Sequence, residues 1–145
     1  APEHVSARVL KRMRKPPIEV FEKFADRYKR INERIGKKQY LIPYLISSHP
    51  GSTLEDAIEL ALYLKKNRFV PDQVQDFYPT PGTLSTCMYY TGLDPLNGEE
   101  VYVAKDIKEK SLQRALLQFN KPENRKLVME ALTLAGRKDL INVLR

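Results

Sequence analysis

One cysteine, two histidines and no tryptophan stand among 145 residues, and no apolar run exceeds a few residues. Runs that short exclude a membrane-spanning helix, which needs about 20 consecutive apolar residues. The first residues carry no signal-peptide pattern. A lone Cys87 cannot close an internal disulfide, which fits a reducing, intracellular compartment and a cytoplasmic location. It also excludes a four-cysteine zinc site or a three-thiolate iron–sulfur site built within this chain alone. His, Asp and Glu remain available as metal ligands. The patterns GxxxxGK[ST], GxGxxG and GxSxG are missing too, so P-loop, dinucleotide-fold and α/β-hydrolase assignments lose their usual anchor.

What is present is a chain of single-domain length with an uneven charge. Residues 1–38 carry 12 of the 25 Lys and Arg but only 5 of the 18 Asp and Glu, so the whole excess of +7 lies in the first quarter. Arg8, Lys11, Arg12, Arg14 and Lys15 form the densest part, followed by Lys23, Arg27, Lys29, Arg30, Arg34, Lys37 and Lys38 interleaved with acids. A contiguous basic face binds nucleic acid through phosphates without reading sequence. The interleaved acids speak more for a solvated helix face.

The pattern along the chain alternates. Pro16-Pro17 opens a helix on which Ile18, Phe21, Phe24, Ala25, Tyr28, Ile31 and Ile35 recur at helical spacing until Gly36 stops it. Residues 40–47 are nearly continuous apolar material and predict a strand buried on both faces, as a parallel sheet demands, although Pro43 removes one ladder donor. Pro50-Gly51 turns the chain, and Ser52 with Glu55 predicts a capping box for a helix that turns Leu54, Ala57, Ile58, Ala61, Leu62 and Leu64 inward. A second short strand is expected over 73–78, and 79–83 reads as a constrained loop. Helix, strand, helix, strand is the unit of an α/β protein with right-handed crossovers. After Gly92, residues 94–99 look like an exposed turn and 101–103 like a short strand. One helix is marked by Ile107, Leu112, Ala115, Leu116 and Phe119. Another opens at Pro122, turns Leu127, Val128, Ala131 and Leu134 inward and stops at Gly136, and a last short one is expected over 139–144. The expected organisation is an α/β part over 1–92 with a small helical extension over 93–145 packed against it. Two strands are too few to bury both faces of a parallel sheet, so the chain is expected to be a piece with further strands upstream.

In parallel α/β architectures the site lies where strands end. Ser47, Ser48 and His49 fall at one such end and Tyr78 and Thr80 at another. If Glu3-His4 closes a preceding strand, His4 stands one strand over from His49, and two histidines with Glu3 converge. Such a pair is more often hydrogen-bonded scaffolding than a metal site. The segment 48–52 offers backbone donors at a helix start, either an anion cradle or simply a cap. Ser52, Thr53 and Ser85 have no base partner near them in sequence, and nothing beside Cys87 lowers its pKa.

Several stretches resemble one family. Pro2-Glu3-His4-Val5-Ser6 with Arg8-Val9-Leu10-Lys11-Arg12-Met13, then residues 38–53, then Asp76-Phe77-Tyr78-Pro79-Thr80-Pro81-Gly82-Thr83, Tyr89-Tyr90-Thr91-Gly92-Leu93-Asp94-Pro95 and the tail from Lys108 to Gly136 are closely similar to the YgiQ-like group of radical S-adenosylmethionine proteins. The resemblance implies the C-terminal part of a partial (β/α) barrel, from the end of strand four through strand six, followed by the helical extension. It implies a [4Fe–4S] cluster and S-adenosylmethionine in the whole protein, with reductive cleavage to a 5′-deoxyadenosyl radical, and it implies no substrate. The Cys-x₃-Cys-x₂-Cys loop that holds the cluster in such enzymes is absent here, so these residues alone are expected to be inactive and to hold no cofactor. Carried over by position, Glu3, His4 and Ser6 fall where relatives contact the cofactor's ribose or methionyl part. Ile46, Ser47, Ser48 and His49 fall where they line the adenine, and Phe77 and Tyr78 where backbone groups meet its edge. Related methylthiotransferases have Gly-Phe-Pro-Gly-Glu-Thr where this chain has Ser48-His49-Pro50-Gly51-Ser52-Thr53, so first Gly and Glu are both replaced. The expected partner is the upstream part of the same polypeptide. The alternative is a basic module that binds nucleic acid through the 8–38 surface or docks a protein, with no membrane role.

Overall fold

A computed structural model describes residues 1–69, 71 and 73–144. Its elements are α1 (Ala7–Arg12), α2 (Ile18–Arg34), β1 (Ile46–Ser47), α3 (Leu54–Lys66), β2 (Gln75–Asp76), α4 (Leu84–Thr91), α5 (Ile107–Leu117) and α6 (Arg125–Leu134), with single 3₁₀ turns at Pro122–Asn124 and Lys138–Leu140. β1 and β2 pair in parallel, Ile46 opposite Gln75 and Ser47 opposite Asp76. Glu3 adds a parallel bridge to Leu45, and its carbonyl accepts the Ile46 amide at 2.9 Å. Three stretches of chain therefore lie side by side in the order 3, 45–47, 75–76, each joined to the next by a connection that includes a helix.

The core lies on the helical side. Val5, Leu45 and Val74 meet Ala57, Ile58, Leu60, Ala61 and Leu64 of α3, then Leu112, Ala115, Leu116 and Leu117 of α5 and Val128, Ala131 and Leu132 of α6, with Leu140 and Leu144 closing the end. α3 packs closely on α5 and α5 on α6, so one apolar cluster runs from the strand ends into the C-terminal helices.

Several sequence expectations are corrected. The strand expected over 40–47 is ordered as a strand only at its end, and Tyr40 and Ile42 are 82% and 89% exposed. Pro43 cannot donate to a ladder, and only the stretch beyond it pairs. The strand over 73–78 shrinks to Gln75–Asp76, with Asp72 just outside the described residues. The capping box at α3 belongs to Thr53 and Asp56, one residue later than Ser52 and Glu55: the Asp56 carboxylate accepts from the Thr53 amide at 3.0 Å, and Thr53 Oγ1 accepts from the Asp56 amide. Leu54 and Leu62 are only half-buried, whereas Leu60 takes a fully buried place. Residues 84–91, read as following a loop, form α4, capped by Thr83 and stopped by Gly92 in the left-handed region. Its mixture of Thr, Ser, Cys and Tyr gives no clean apolar stripe, which is why periodicity missed it. Residues 101–103 form no strand; the nearest ladder contact is an antiparallel bridge from Leu93 to Glu100. Leu134, expected to turn inward, is 66% exposed, and Ile107, at the start of α5, is 82% exposed.

α2 forms over the expected residues and ends before Gly36 at φ +64. Of its apolar residues, Val20, Phe24, Ile31 and the following Ile35 are exposed, and the one buried side chain on it is Asn32.

Candidate functional site

The three parallel strand ends carry a cluster of buried polar side chains: His4, Ser6, Ser47, Ser48 and His49, with Ser52 and Asp56 at the start of α3. At β1 the chain leaves the sheet at Ser48 with φ 58, and at the neighbouring end Glu3 has φ 59. Left-handed backbone costs a non-glycine residue roughly 1–3 kcal/mol and gathers at functional positions. Of the four described non-glycine residues in the left-handed region, Glu3 and Ser48 are ones the sequence placed in the site, whereas Arg14 and Arg68 follow helix ends.

His49 is buried. Its Nδ1 lies 2.8 Å from the Pro50 carbonyl and its Nε2 2.8 Å from Ser85 Oγ. A carbonyl only accepts, so Nδ1 carries the proton and Nε2 accepts from the Ser85 hydroxyl. The ring meets Phe77 edge-on with centroids 5.1 Å apart. Burial lowers the His49 pKa, with the Pro50 hydrogen bond and the charge of Glu3 acting in the opposite sense. His4 takes the other tautomer: its Nδ1 accepts the Ser6 amide at 3.1 Å. Burial pushes its pKa down to about 4, and the nearby Asp56 only partly offsets that. Both imidazoles are thus neutral near pH 7, and Glu3, His4 and His49 do converge as the sequence suggested.

Asp56, which sequence reasoning missed, is the charged anchor beneath them. It accepts from Ser6 Oγ at 2.6 Å, Thr53 Oγ1 at 2.7 Å, the Thr53 amide at 3.0 Å and Arg8 at 3.2 Å. Burial acts to raise its pKa, but the Ser6 and Thr53 hydrogen bonds prevail and hold it below the ordinary carboxylate value. Gln113 of α5 is a second missed residue. Ser52 Oγ donates to its Oε1 at 3.0 Å, and its Nε2 donates to the Ser52 carbonyl at 2.9 Å, tying the loop before α3 to the C-terminal helices. The signal for both was visible only as a polar residue inside an apolar helical pattern.

Of the other expected site residues, Ser47 and Ser48 place their hydroxyls 3.3 Å apart, and Ile46 is half-buried. The Phe77 amide donates to the Ser47 carbonyl at 2.8 Å, extending the pairing by one residue. Tyr78 stands apart, 76% exposed. Ser85, for which no base was visible nearby in sequence, finds one in His49, 36 residues away.

The basic stretch is partly consumed within the molecule. Arg12 and Arg14 both hold the buried carboxylate of Asp94, at 2.8 and 2.6 Å, and Arg12 also reaches Glu99 at 2.9 Å. Asp94 opens the expected turn, its carbonyl accepting the Asn97 and Gly98 amides, and residues 95–99 are exposed, but Asp94 itself is buried. The Arg12 stem runs against Gly51, whose φ is +93 and where an added Cβ would lie 2.9 Å from Arg12 Cγ. Lys15 pairs with Glu3 at 3.1 Å. Among the described residues no group of three or more His, Cys, Asp or Glu is placed to hold a metal ion. No described helix is long and apolar enough to cross a membrane.

Residues 72–143 match the family model described as "Domain of unknown function (DUF3362)". Over 141 residues, 97% of this chain, it is 61% identical to a UPF0313 protein of Clostridium perfringens (strain 13 / Type A) and 57% identical to a UPF0313 protein of Methanocella arvoryzae. A UPF0313 protein of Clostridium botulinum (strain 657 / Type Ba4) is 60% identical over the same length. The chain spans 21%, 24% and 22% of these relatives' lengths. No solved structure matches it. Identity of that degree runs across nearly every element described above, so the chain is similar to about a fifth to a quarter of the length of these UPF0313 proteins.

Proposed function

We propose that residues 1–145 contribute the C-terminal strands of a radical S-adenosylmethionine barrel, with the cofactor lying across the ends of residues 3–6, 46–49 and 77. The observation that carries this is the row of three parallel strand ends with two strained residues and five buried polar side chains at their C-terminal tips. In parallel α/β folds this rim is where ligands bind. The donor set suits a nucleoside and an amino acid: among the described residues the Ser47 and Ser48 hydroxyls pair with each other, Glu3 places a carboxylate shared with Lys15 at the rim, and Phe77 offers an apolar wall. It does not suit an iron–sulfur cluster, because Cys87 is the single thiol. The cluster's ligands are therefore assigned to the rest of the polypeptide, and cluster and cofactor together would supply reductive cleavage of the sulfonium. The residues described here orient and desolvate. His49, fixed by Pro50 and Ser85, presents a neutral ring that adds no positive charge beside a cationic sulfonium.

The test uses the full-length protein, reconstituted anaerobically with iron and sulfide, reduced, and assayed for 5′-deoxyadenosine from S-adenosylmethionine. The expected result is product that disappears when the upstream cysteines are replaced. A protein that takes up no cluster and forms no product would refute the assignment. The alternative of a basic nucleic-acid module is weakened by the ion pairs of Arg8, Arg12, Arg14 and Lys15, which leave α2 as the main exposed basic element.

A further inference from the structure

α2 presents a surface that nothing among the described residues covers. Val20, Phe24, Ile31 and Ile35 stand at i, i+4, i+11 and i+15, a spacing that puts all four on one narrow ridge of a helix with 3.6 residues per turn. They are 51%, 54%, 38% and 51% exposed. Along one flank of the ridge run Lys23, Arg27, Arg30 and Arg34 at i, i+4, i+7 and i+11, all exposed. The other flank turns Ile18, Phe21, Ala25 and Asn32 toward the molecule. Even there the packing is incomplete: Ile18 rests on the core and Glu22 hydrogen-bonds Tyr63 of α3, but a groove of about 570 Å³ is lined by Phe21, Ala25 and Lys29 on one side and Leu60, Tyr63 and Leu64 on the other. No helix or strand approaches α2 as closely as α3 approaches α5.

The ridge also continues into the sheet edge. A groove of about 370 Å³ is lined by Ala1 and Pro2, next to the outermost strand end, and by Val20, Phe21 and Phe24. Among the described residues Glu3 pairs with Leu45 on one side and with no strand on the other. Successive right-handed crossovers lay their helices side by side over one sheet face, so the place beyond α2, on the side away from α3, is where the next helix of the layer belongs.

We infer that the α2 ridge is the seat of an amphipathic helix from the remaining four-fifths of the same polypeptide, with an apolar stripe on Val20, Phe24, Ile31 and Ile35 and acidic residues against Lys23, Arg27, Arg30 and Arg34. The relatives are about four to five times as long as this chain, so such a helix would be available within the same polypeptide. The basic flank selects an acidic partner and holds the register, while the apolar ridge supplies most of the burial. This rests on the proposed barrel for the direction of the layer but not for its chemistry.

Hydroxyl-radical footprinting of the full-length wild-type protein, read by mass spectrometry, tests it without a substitution. Phe24, Ile31 and Ile35 should oxidise on the order of tenfold more slowly than in the same protein unfolded in urea, because a packed interface excludes solvent. The protection should persist on dilution, and Arg27→Glu should reduce it. Oxidation of Phe24 close to the unfolded rate would overturn the inference and leave α2 as an exposed basic amphipathic surface for nucleic acid or a lipid headgroup. Protection lost on dilution would overturn it in favour of a second copy. Cofactor cleavage separates the two proposals: activity with an unprotected ridge sinks only the docking, and protection without cleavage sinks only the enzyme.

Discussion

α2 and α3 are both amphipathic, both stand before a parallel strand, and they differ in almost everything that stabilises a helix. α3 has a reciprocal cap at Thr53 and Asp56 and buries Ala57, Ile58, Leu60, Ala61 and Leu64 against α5. α2 is longer, its N-cap Pro17 makes no side-chain cap bond, and its apolar ridge faces outward. Periodicity reports that a helix has a sticky face; whether the face is buried depends on a partner that periodicity does not name. The contrast can be broken by single substitutions. Leu116→Ala, in the fully buried α5 layer under α3, should destabilise by about 2–5 kcal/mol, the transfer cost plus the cavity it leaves. Phe24→Ala, exposed in residues 1–145, should cost within about 0.5 kcal/mol in this chain and several-fold more in the full-length protein. Urea denaturation of both lengths decides it. Equal costs for Phe24→Ala in the two lengths would mean that the ridge has no partner.

A second expectation concerns pH. His4 has a folded pKa of about 4 against an ordinary 6.5, so the folded state binds the proton more weakly than the unfolded chain. Stability is then fully present above pH 6.5 and is lost as pH falls through the window between 6.5 and about 4, by about 3 kcal/mol at most. Asp56, whose folded pKa is lowered, adds a further loss at lower pH. The window should flatten in His4→Gln measured by thermal melts across pH 4–8. An unchanged profile would locate the pH dependence elsewhere.

Next in size is Asp56→Ala, expected to cost about 2 kcal/mol because it removes the reciprocal cap of α3 and leaves Ser6 without its acceptor. Asp56→Asn keeps an acceptor for the Thr53 amide and should recover part of that loss. The check is the urea midpoint, with Glu55→Ala, an exposed neighbour, as the control. A larger effect at Glu55 would place the cap at Ser52 and Glu55 instead.

The alternation of helix and strand, the stop at Gly36, the C-terminal stop at Gly136 and the nearness of His4, His49 and Glu3 were legible because each depends on local residues or on one crossover. The capping box slipped by one residue because Thr53 and Asp56 form as good a local pattern as Ser52 and Glu55, and the winner is set by the Ser6 hydroxyl arriving from 50 residues away. The turn at Asp94 was legible but its burial was not, because the two arginines that hold its carboxylate come from 80 and 82 positions earlier. Gln113 and Ser85 were illegible for the same reason: their partners Ser52 and His49 lie across the fold. Polar residues inside the site are specified by contacts, and contacts were the part of the problem that pattern alone did not reach.

The smallest expected effect is at Ser85, and it bears most directly on the site. Removing its hydroxyl by Ser85→Ala leaves Nε2 of His49 without its donor while Nδ1 keeps the Pro50 carbonyl, so the loss should be about 1 kcal/mol. The ring should stay in the Nδ1-protonated form, since the carbonyl alone dictates it. Nitrogen-15 NMR of the imidazole distinguishes the two tautomers, and in the wild type it should report a proton on Nδ1 and none on Nε2 at neutral pH. A signal from the opposite tautomer would mean that Ser85 accepts rather than donates, and that the His49 ring is held by α4 instead of by the turn after β1. In Ser85→Ala the Nε2 edge becomes free to turn toward solvent or a ligand. If the proposed function holds, full-length protein carrying this change would take up a cluster as the wild type does while binding S-adenosylmethionine modestly more weakly, a result that would tie the tilt of one buried ring to the rim where three parallel strands end.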